Sequence, residues 1–92
     1  MSKVFVEYRV EEGSREQYMR MIRERPGRFG EWELFEGADQ RGLFVEIWHG
    51  LSRQQYERMK EDRTEGKAPL PWDRFVEGGP GKLHIWQFDK VR

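Results

Sequence analysis

The sequence predicts an α+β domain of the ferredoxin-like type, with β-α-β-β-α-β order, a four-stranded antiparallel sheet and two helices on one face. Two observations lead to this fold: a strand-turn-helix unit occurs twice in the chain, and a further strand follows each copy. With 92 residues, of which 36% are apolar, the chain fits a single domain over residues 1–92 with a small core. A second covered face, such as a dimer interface, would add to the stability of so small a core.

The internal repeat defines the first two strand-helix pairs. In the first copy, the strand-like residues 5–8 precede a helix-like segment, 14–21, and in the second copy residues 44–47 precede 52–59. Each helical segment begins with Ser-x-x-Gln, the pattern of a capping box. The first helix should end before Pro26, which breaks a helix, and the second should fray near Gly66.

The remaining elements complete the predicted order. Residues 29–36 read as a strand, and the glycine-bounded turn 37–42 returns the chain in the antiparallel direction. Residues 66–81, rich in proline and glycine, predict a long connection with one helical turn inside it. The last strand is predicted over residues 82–88.

Alternation along the strands predicts two different sheet faces. Side chains point alternately to opposite sides of a strand, so each strand divides into two sets. We assign the mostly aliphatic sets to the face under the helices: Val4, Val6, Tyr8, Val10, Leu43, Val45, Ile47, Leu83 and Ile85. The opposite face would then carry Phe5, Glu7, Arg9, Phe44, Glu46, Trp48, His84, Trp86 and Phe88. A monomer seldom exposes so large an apolar patch, so we predict that a partner covers it.

Charge and composition narrow the choice of partner. The cover could be a second copy of the sheet, single-stranded nucleic acid or another protein. Seventeen basic residues balance seventeen acidic ones, so no long-range field gathers nucleic acid, and the composition disfavours a nucleic-acid partner. The apolar runs are too short to span a bilayer and no signal-peptide core follows Met1, which predicts a soluble, cytoplasmic protein without membrane contact. The chain has no cysteine, so disulfides and cysteine nucleophiles are excluded.

The chain resembles the dimeric α/β-barrel superfamily in its Phe-Val-Glu strand starts, its helix caps, and a last strand that carries Trp86 and His84 after a proline-rich connection. Within that superfamily it is most similar to small proteins of the antibiotic-biosynthesis-monooxygenase type. The resemblance implies a homodimer whose sheets pack face to face around a pocket, and a cofactor-independent monooxygenase activity on a small planar or apolar molecule. The haem-degrading relatives use an asparagine, which this chain lacks.

The candidate catalytic residues are Glu7, Glu46 and His84. The two glutamates occupy equivalent places in the repeat, and a carboxyl group or an imidazole can transfer protons near neutral pH. The predicted substrate-binding set is aromatic: Phe5, Phe44, Trp48, Trp86 and Phe88. Purely structural roles are the alternative, with the glutamates paired to arginines and His84 hydrogen-bonded in an interface. Glu7, Glu46 and His84 could also form a two-carboxylate, one-histidine metal site, but nothing in their spacing supports it, and we predict no metal and no cofactor.

Two other functions remain open at this point. A non-catalytic small-molecule binder, or a purely structural dimer, would use the same residues to fill the interface. An RNA-recognition motif has the same topology, and residues 4–6 and 41–47 resemble its first-strand and third-strand signatures, the second of them one residue short.

Overall fold

The computed structural model describes residues 2–24 and 32–92, and its element order confirms the ferredoxin-like α+β prediction. The strands and helices are β1 (Ser2–Arg9), α1 (Arg15–Glu24), β2 (Trp32–Glu36), β3 (Leu43–His49), α2 (Arg53–Thr64) and β4 (His84–Asp89). Three 3-10 turns accompany them, at Glu12–Ser14, Pro71–Phe75 and Pro80–Lys82. The strands form one antiparallel sheet in the order β2-β3-β1-β4. The first predicted residues of β2, 29–31, lie outside the described residues.

Both helices pack on the same face of the sheet. From α1, the Tyr18 ring lies 4.6 Å from the Phe44 ring, centroid to centroid. From α2, the Tyr56 hydroxyl donates a hydrogen bond of 3.4 Å to the Ile85 carbonyl oxygen. Both tyrosines are buried. Within the described residues, neither helix has the length and apolar character needed to cross a membrane.

The capping box predicted for the second helix is present. The Ser52 side chain accepts a hydrogen bond from the Gln55 backbone N–H, and the Gln55 side chain accepts one from the Ser52 N–H, at 3.1 and 2.8 Å. The first helix begins differently, because Ser14 lies inside the 3-10 turn that leads into α1. The two copies of the repeat thus share a sequence pattern but not a cap.

The predicted division of the strands into two faces holds for β1 and β4 and is wrong for β3. Val6 and Ile85 lie in the core, as expected. On β3, however, Phe44 and Glu46 are buried under the helices, at 1% and 0% exposure. The register agrees, because Glu46 is paired with the buried Val6.

The aliphatic set of β3 therefore lies on the other side of the sheet. Val45 is paired with Glu7 and Ile47 with Phe5, both from the set of β1 that faces away from the helices. Because side chains alternate with a period of two, placing one residue of a strand on the opposite face of the sheet moves every other residue of that strand to its opposite face as well. The physical reason is that Glu46 has buried hydrogen-bonding partners, which make a carboxylate acceptable in the core.

An ion pair joins α1 to β2 and to the turn before β3. Arg15 donates two hydrogen bonds to the Glu36 carboxylate, the one from Nε at 2.8 Å, and the Gly42 N–H donates a third at 2.9 Å. Gly42 has φ +91°, and a Cβ there would lie 2.8 Å from the Val10 carbonyl oxygen, so this position requires glycine. The hydrogen bonds from Arg15 and then from Gly42 lower the pKa of Glu36 to about 2.

We expect Ser52→Ala to lower the free energy of unfolding by about 1 kcal/mol, because it removes the N-cap hydrogen bond of α2. The matched control is Ser14→Ala, at the equivalent repeat position inside the 3-10 turn, which should change stability by less than about 0.5 kcal/mol. Urea unfolding of both variants measures the difference. Equal losses for the two substitutions would contradict the assignment of the cap to the second copy alone.

The Glu36 carboxylate should make folding sensitive to acid. Its pKa is lowered to about 2 in the folded protein from an ordinary value of 4.5, so its contribution to stability is complete above 4.5 and is lost as the pH falls toward 2. Glu36→Gln should therefore unfold at a lower urea concentration than wild type at pH 7, with a smaller difference near pH 2.5. A difference between the two proteins that stays constant from pH 7 to 2.5 would contradict this role.

Candidate functional site

The sheet surface that faces away from the helices, which we term the open face, carries rings that solvent reaches. Phe35, Trp86 and Phe88 are 51%, 43% and 53% exposed. These values are high for large apolar side chains on a sheet. The open face combines these rings with aliphatic and ionisable neighbours: Phe5, Glu7, Leu43, Val45, Ile47 and His84.

A groove of about 420 Å³ runs across the open face. Its walls are Phe5, Glu7, Val45, Trp86 and Phe88. The Phe5 and Phe88 rings meet edge to face, with centroids 5.2 Å apart and planes at 87°. Four of the five lining side chains are apolar, so the groove suits a planar or apolar molecule.

Glu7 also belongs to a second, polar pocket next to the groove. This pocket has a volume of about 390 Å³, and its lining residues are Glu7, Tyr8, Arg9, Leu43, Glu77, Gly78, Lys82 and His84. Glu7 on β1 is paired directly with His84 on β4. Directly opposite residues on one face have Cβ atoms roughly 4.5–5.5 Å apart, so one bound molecule can contact both side chains.

The His84 imidazole is held by its neighbour on the same strand. Its ring stacks on the Trp86 indole, with centroids 5.6 Å apart and planes at 7°. This contact places the imidazole against Trp86, which is one wall of the apolar groove. The arrangement offers a base, or an acid, at the edge of a surface on which a planar molecule can lie.

The structure brings five of the eight predicted site residues together on the open face. They are Phe5, Glu7, His84, Trp86 and Phe88. The other three, Phe44, Glu46 and Trp48, lie on the helix-covered face, so their predicted place on the aromatic face is wrong. The sheet separates Glu46 from Glu7 and His84, so these three side chains do not meet at one metal position. Within the described residues, no group of three or more His, Asp or Glu side chains is placed to hold a metal ion.

Glu46 is the centre of a buried hydrogen-bond network on the covered face. Its carboxylate accepts five hydrogen bonds from described residues: from Tyr8 Oη at 2.7 Å, Trp48 Nε1 at 2.8 Å, Trp72 Nε1 at 2.9 Å, and Arg63 Nη1 and Nη2 at 2.7 and 2.9 Å. Both oxygens are thereby saturated with donors. A carboxylate held in this way stabilises the fold and has no free lone pair directed at a substrate.

Arg63 carries the positive charge that makes this burial favourable. Besides its hydrogen bonds to Glu46, Arg63 donates two to the Asp73 carboxylate, from Nε at 3.1 Å and from Nη2 at 2.6 Å. The Leu70 N–H donates a further hydrogen bond to Asp73 at 2.9 Å. Burial alone would raise the pKa of Glu46, but the hydrogen bonds and charge of Arg63 outweigh it, so the pKa of Glu46 is lowered. All three side chains are at most 3% exposed. Burial alone would lower the pKa of Arg63, but its hydrogen bonds to Glu46 and Asp73 outweigh burial and raise the pKa, so Glu46 and Arg63 both stay charged at neutral pH.

Two tyrosine hydroxyls extend the network to α1. Tyr8 Oη and Tyr18 Oη are 2.6 Å apart. The single hydroxyl proton of Tyr8 is donated to Glu46, so Tyr18 donates to Tyr8. Burial, followed by the charge of Glu46, raises the pKa of Tyr8, and burial is also the main cause of the raised pKa of Tyr18. Both hydroxyls therefore remain protonated and tie the helix to the sheet.

Three indole rings stack beside this network. The Trp32 ring lies between Trp48 and Trp72, with centroid separations of 5.2 and 5.3 Å and planes within 9° of parallel. Trp48, predicted to bind substrate on the open face, instead packs against the core on the helix-covered face. The stack joins β2 and β3 to the connection before β4.

The sequence contained a signal for the network that our prediction did not use. Arg63 follows Tyr56 by seven residues and Met59 by four, so it lies on the apolar stripe of α2. A charged residue at a core-facing helical position needs a buried counter-charge. Glu46 and Asp73 supply it, but they lie 17 and 10 residues from Arg63 along the chain.

Comparison with models of known protein families gave no match, and comparison with curated proteins gave none either. The assignment of the chain to a ferredoxin-like α+β fold therefore depends on its own strand order and helix packing.

We expect Arg63→Met to lower the free energy of unfolding by about 3–5 kcal/mol, because it leaves Glu46 and Asp73 buried without a cation. The matched control is Arg58→Met on the exposed side of the same helix, which should cost less than about 0.5 kcal/mol. Chemical denaturation measures both values. If the two substitutions had similar small effects, the buried charge network would not be a main determinant of stability.

Proposed function

We propose that the open face is one wall of a small-molecule pocket, which closes when a second copy of the chain packs its own open face against it. On this proposal the protein is a cofactor-independent, monooxygenase-like or isomerase-like enzyme that acts on a small planar or largely apolar molecule. The supporting observation is that Glu7, an acid, lies among the exposed rings of the groove, while His84, an imidazole, is paired directly with Glu7 and lines the adjoining polar pocket. The dimeric α/β-barrel resemblance points in the same direction.

A second copy is the cover that the composition of the face favours. The open face presents half-exposed phenylalanine and tryptophan rings, and water would otherwise hydrate them. When two identical faces pack about a twofold axis, each residue contacts the same residue of the other copy or one close to it. The apolar groove of one copy therefore meets the groove of the other. With a net charge of zero, the chain does not repel a second copy of itself.

In the proposed site, Phe5, Trp86 and Phe88 hold the apolar body of the substrate. Glu7 or His84 removes a proton from the bound molecule. Both side chains line the polar pocket, and the two residues are paired directly across β1 and β4. Closing the pocket excludes water and strengthens the interaction between the remaining charges. Glu46 has no role in this step, because its buried hydrogen bonds occupy both of its oxygens.

A non-catalytic binding protein is the second candidate, because the groove alone explains ligand binding. Turnover of a molecule that co-purifies with the protein, with loss of turnover in Glu7→Gln, would favour the enzyme. Retention of that molecule without turnover would favour the binder. RNA binding has less support, because Phe44 is buried and the open face of the central strand β3 carries aliphatic side chains where a stacking ring would be needed.

We expect native mass spectrometry of the wild-type protein to show a dimer, and Val45→Arg to show a folded monomer. Val45 lies in the groove near the middle of the sheet, where the much larger arginine side chain would hold the two packed faces apart. Pairing with the adjacent Glu7 would not compensate for the cost of burying both charges in the interface. The matched control is Lys60→Glu on the exposed side of α2, which should remain a dimer. Circular dichroism confirms that each variant is folded.

A wild-type monomer at micromolar concentration would contradict the closed-pocket proposal. A dimer that survives Val45→Arg would place the interface on another surface. Additional mass on the wild-type dimer would identify the molecule to assay.

A further inference from the structure

The groove and the polar pocket are contiguous, since Glu7 lines both. A molecule that fills both must be apolar at one end and polar at the other. The groove end is formed by aromatic and aliphatic side chains. The polar end is surrounded by two cations, Arg9 and Lys82, and two carboxylates, Glu7 and Glu77.

The charged side chains that line the polar pocket make no direct ion pair with one another in the described part of the chain. Among the described residues, no side-chain hydrogen bond or ion pair involves Glu7, Glu77 or Lys82. Arg9 donates only to the neutral side-chain oxygen of Gln40, at 2.9 Å. Arg9, Glu77 and Lys82 are exposed, whereas Glu7 is half-buried. The half-buried Glu36, by contrast, is paired with an arginine. Charges of both signs that line one cavity without contacting each other can each bind a ligand group.

The backbone fixes the walls of this pocket. The Glu77 N–H donates to the Arg9 carbonyl oxygen at 2.7 Å, next to a β-bridge between Val10 and Val76. The Lys82 stem lies against Gly78, where an added Cβ would approach Lys82 Cγ to 2.7 Å. Gly78 has φ +84°, which also favours glycine. Glu77, Gly78 and Lys82 therefore form a built wall beside the end of β1.

We propose that this composite site binds a zwitterionic aromatic α-amino acid, which would be the substrate or ligand class of the function proposed above. The aromatic ring occupies the groove between Phe5 and Trp86. The ammonium group binds Glu7 and Glu77, and the carboxylate binds Lys82 and Arg9. The inference depends on the open face being a small-molecule site.

Charge complementarity favours a zwitterion over simpler molecules. A carboxylic acid without an amine would bring a negative charge next to Glu7 and leave both glutamates unpaired. An amine without a carboxylate would leave Lys82 and Arg9 unpaired. When the face is covered and water is excluded, each unpaired charge costs binding energy, so the ligand that pairs both signs binds best.

The test is isothermal titration of the wild-type protein with four indole compounds that share one ring: L-tryptophan, 3-indolepropionate without the amine, tryptamine without the carboxylate, and uncharged 3-methylindole. L-tryptophan should bind at least about tenfold more tightly than each of the others. Lys82→Met should reduce the affinity for L-tryptophan to the level that the wild-type protein shows for tryptamine. Glu7→Gln should reduce it to that for 3-indolepropionate, and the control Lys60→Met should change nothing.

The outcomes separate this inference from the proposed function. If 3-methylindole binds in the groove as tightly as L-tryptophan, the amino-acid assignment is overturned while the apolar pocket stands. If 3-indolepropionate or tryptamine binds as tightly as L-tryptophan, one half of the head-group site is absent and the zwitterion assignment also fails. If none of the four binds to the dimer, both the pocket and the inference are overturned.

Discussion

The buried carboxylate of Glu46 is the constraint on which the rest of the structure depends. It joins four elements, because its hydrogen-bond donors come from β1, from β3 itself, from α2 and from the connection before β4. An isolated carboxylate in this position would be strongly destabilising, and the Arg63 guanidinium, itself shared with Asp73, compensates for the lost hydration. Once Glu46 points to the helices, alternation turns Val45 and Ile47 to the open face.

The consequence is a separation of two kinds of charge. On the covered face, the acidic and basic groups of the network are used in pairs and maintain the fold. On the open face, Glu7, Lys82 and Glu77 surround a pocket without pairing, beside a groove lined by rings. Unpaired charges on β1 and on the connection before β4, next to apolar surface that needs a cover, are features of a ligand site. We therefore propose that the open face carries the function, while the covered face stabilises the fold.

The order of elements could be predicted from the sequence, because the repeat, the Ser52 cap and the turn before Leu43 are local signals. The faces of β1 and β4 could also be assigned, and five of the eight candidate site residues follow from them. The face of β3 could not, because alternation divides a strand into two sets without saying which set is buried. The aliphatic character of Val45 favoured burying its set of side chains. The set that contains Glu46 is buried instead because Arg63 and Trp72 donate hydrogen bonds to Glu46, and these two residues lie 17 and 26 residues from it in the sequence.

The face of β3 is best tested by nuclear Overhauser contacts from the indole N–H proton of Trp48. Trp48 Nε1 and Arg63 Nη1 both donate to Glu46 Oε1, at 2.8 and 2.7 Å, so our account predicts cross-peaks between the Trp48 indole proton and the Arg63 side chain. Pairing of two chains through the open face would not change this result. Cross-peaks from Trp48 to the Phe5 ring, with none to Arg63, would place Trp48 and Glu46 on the open face and contradict the account.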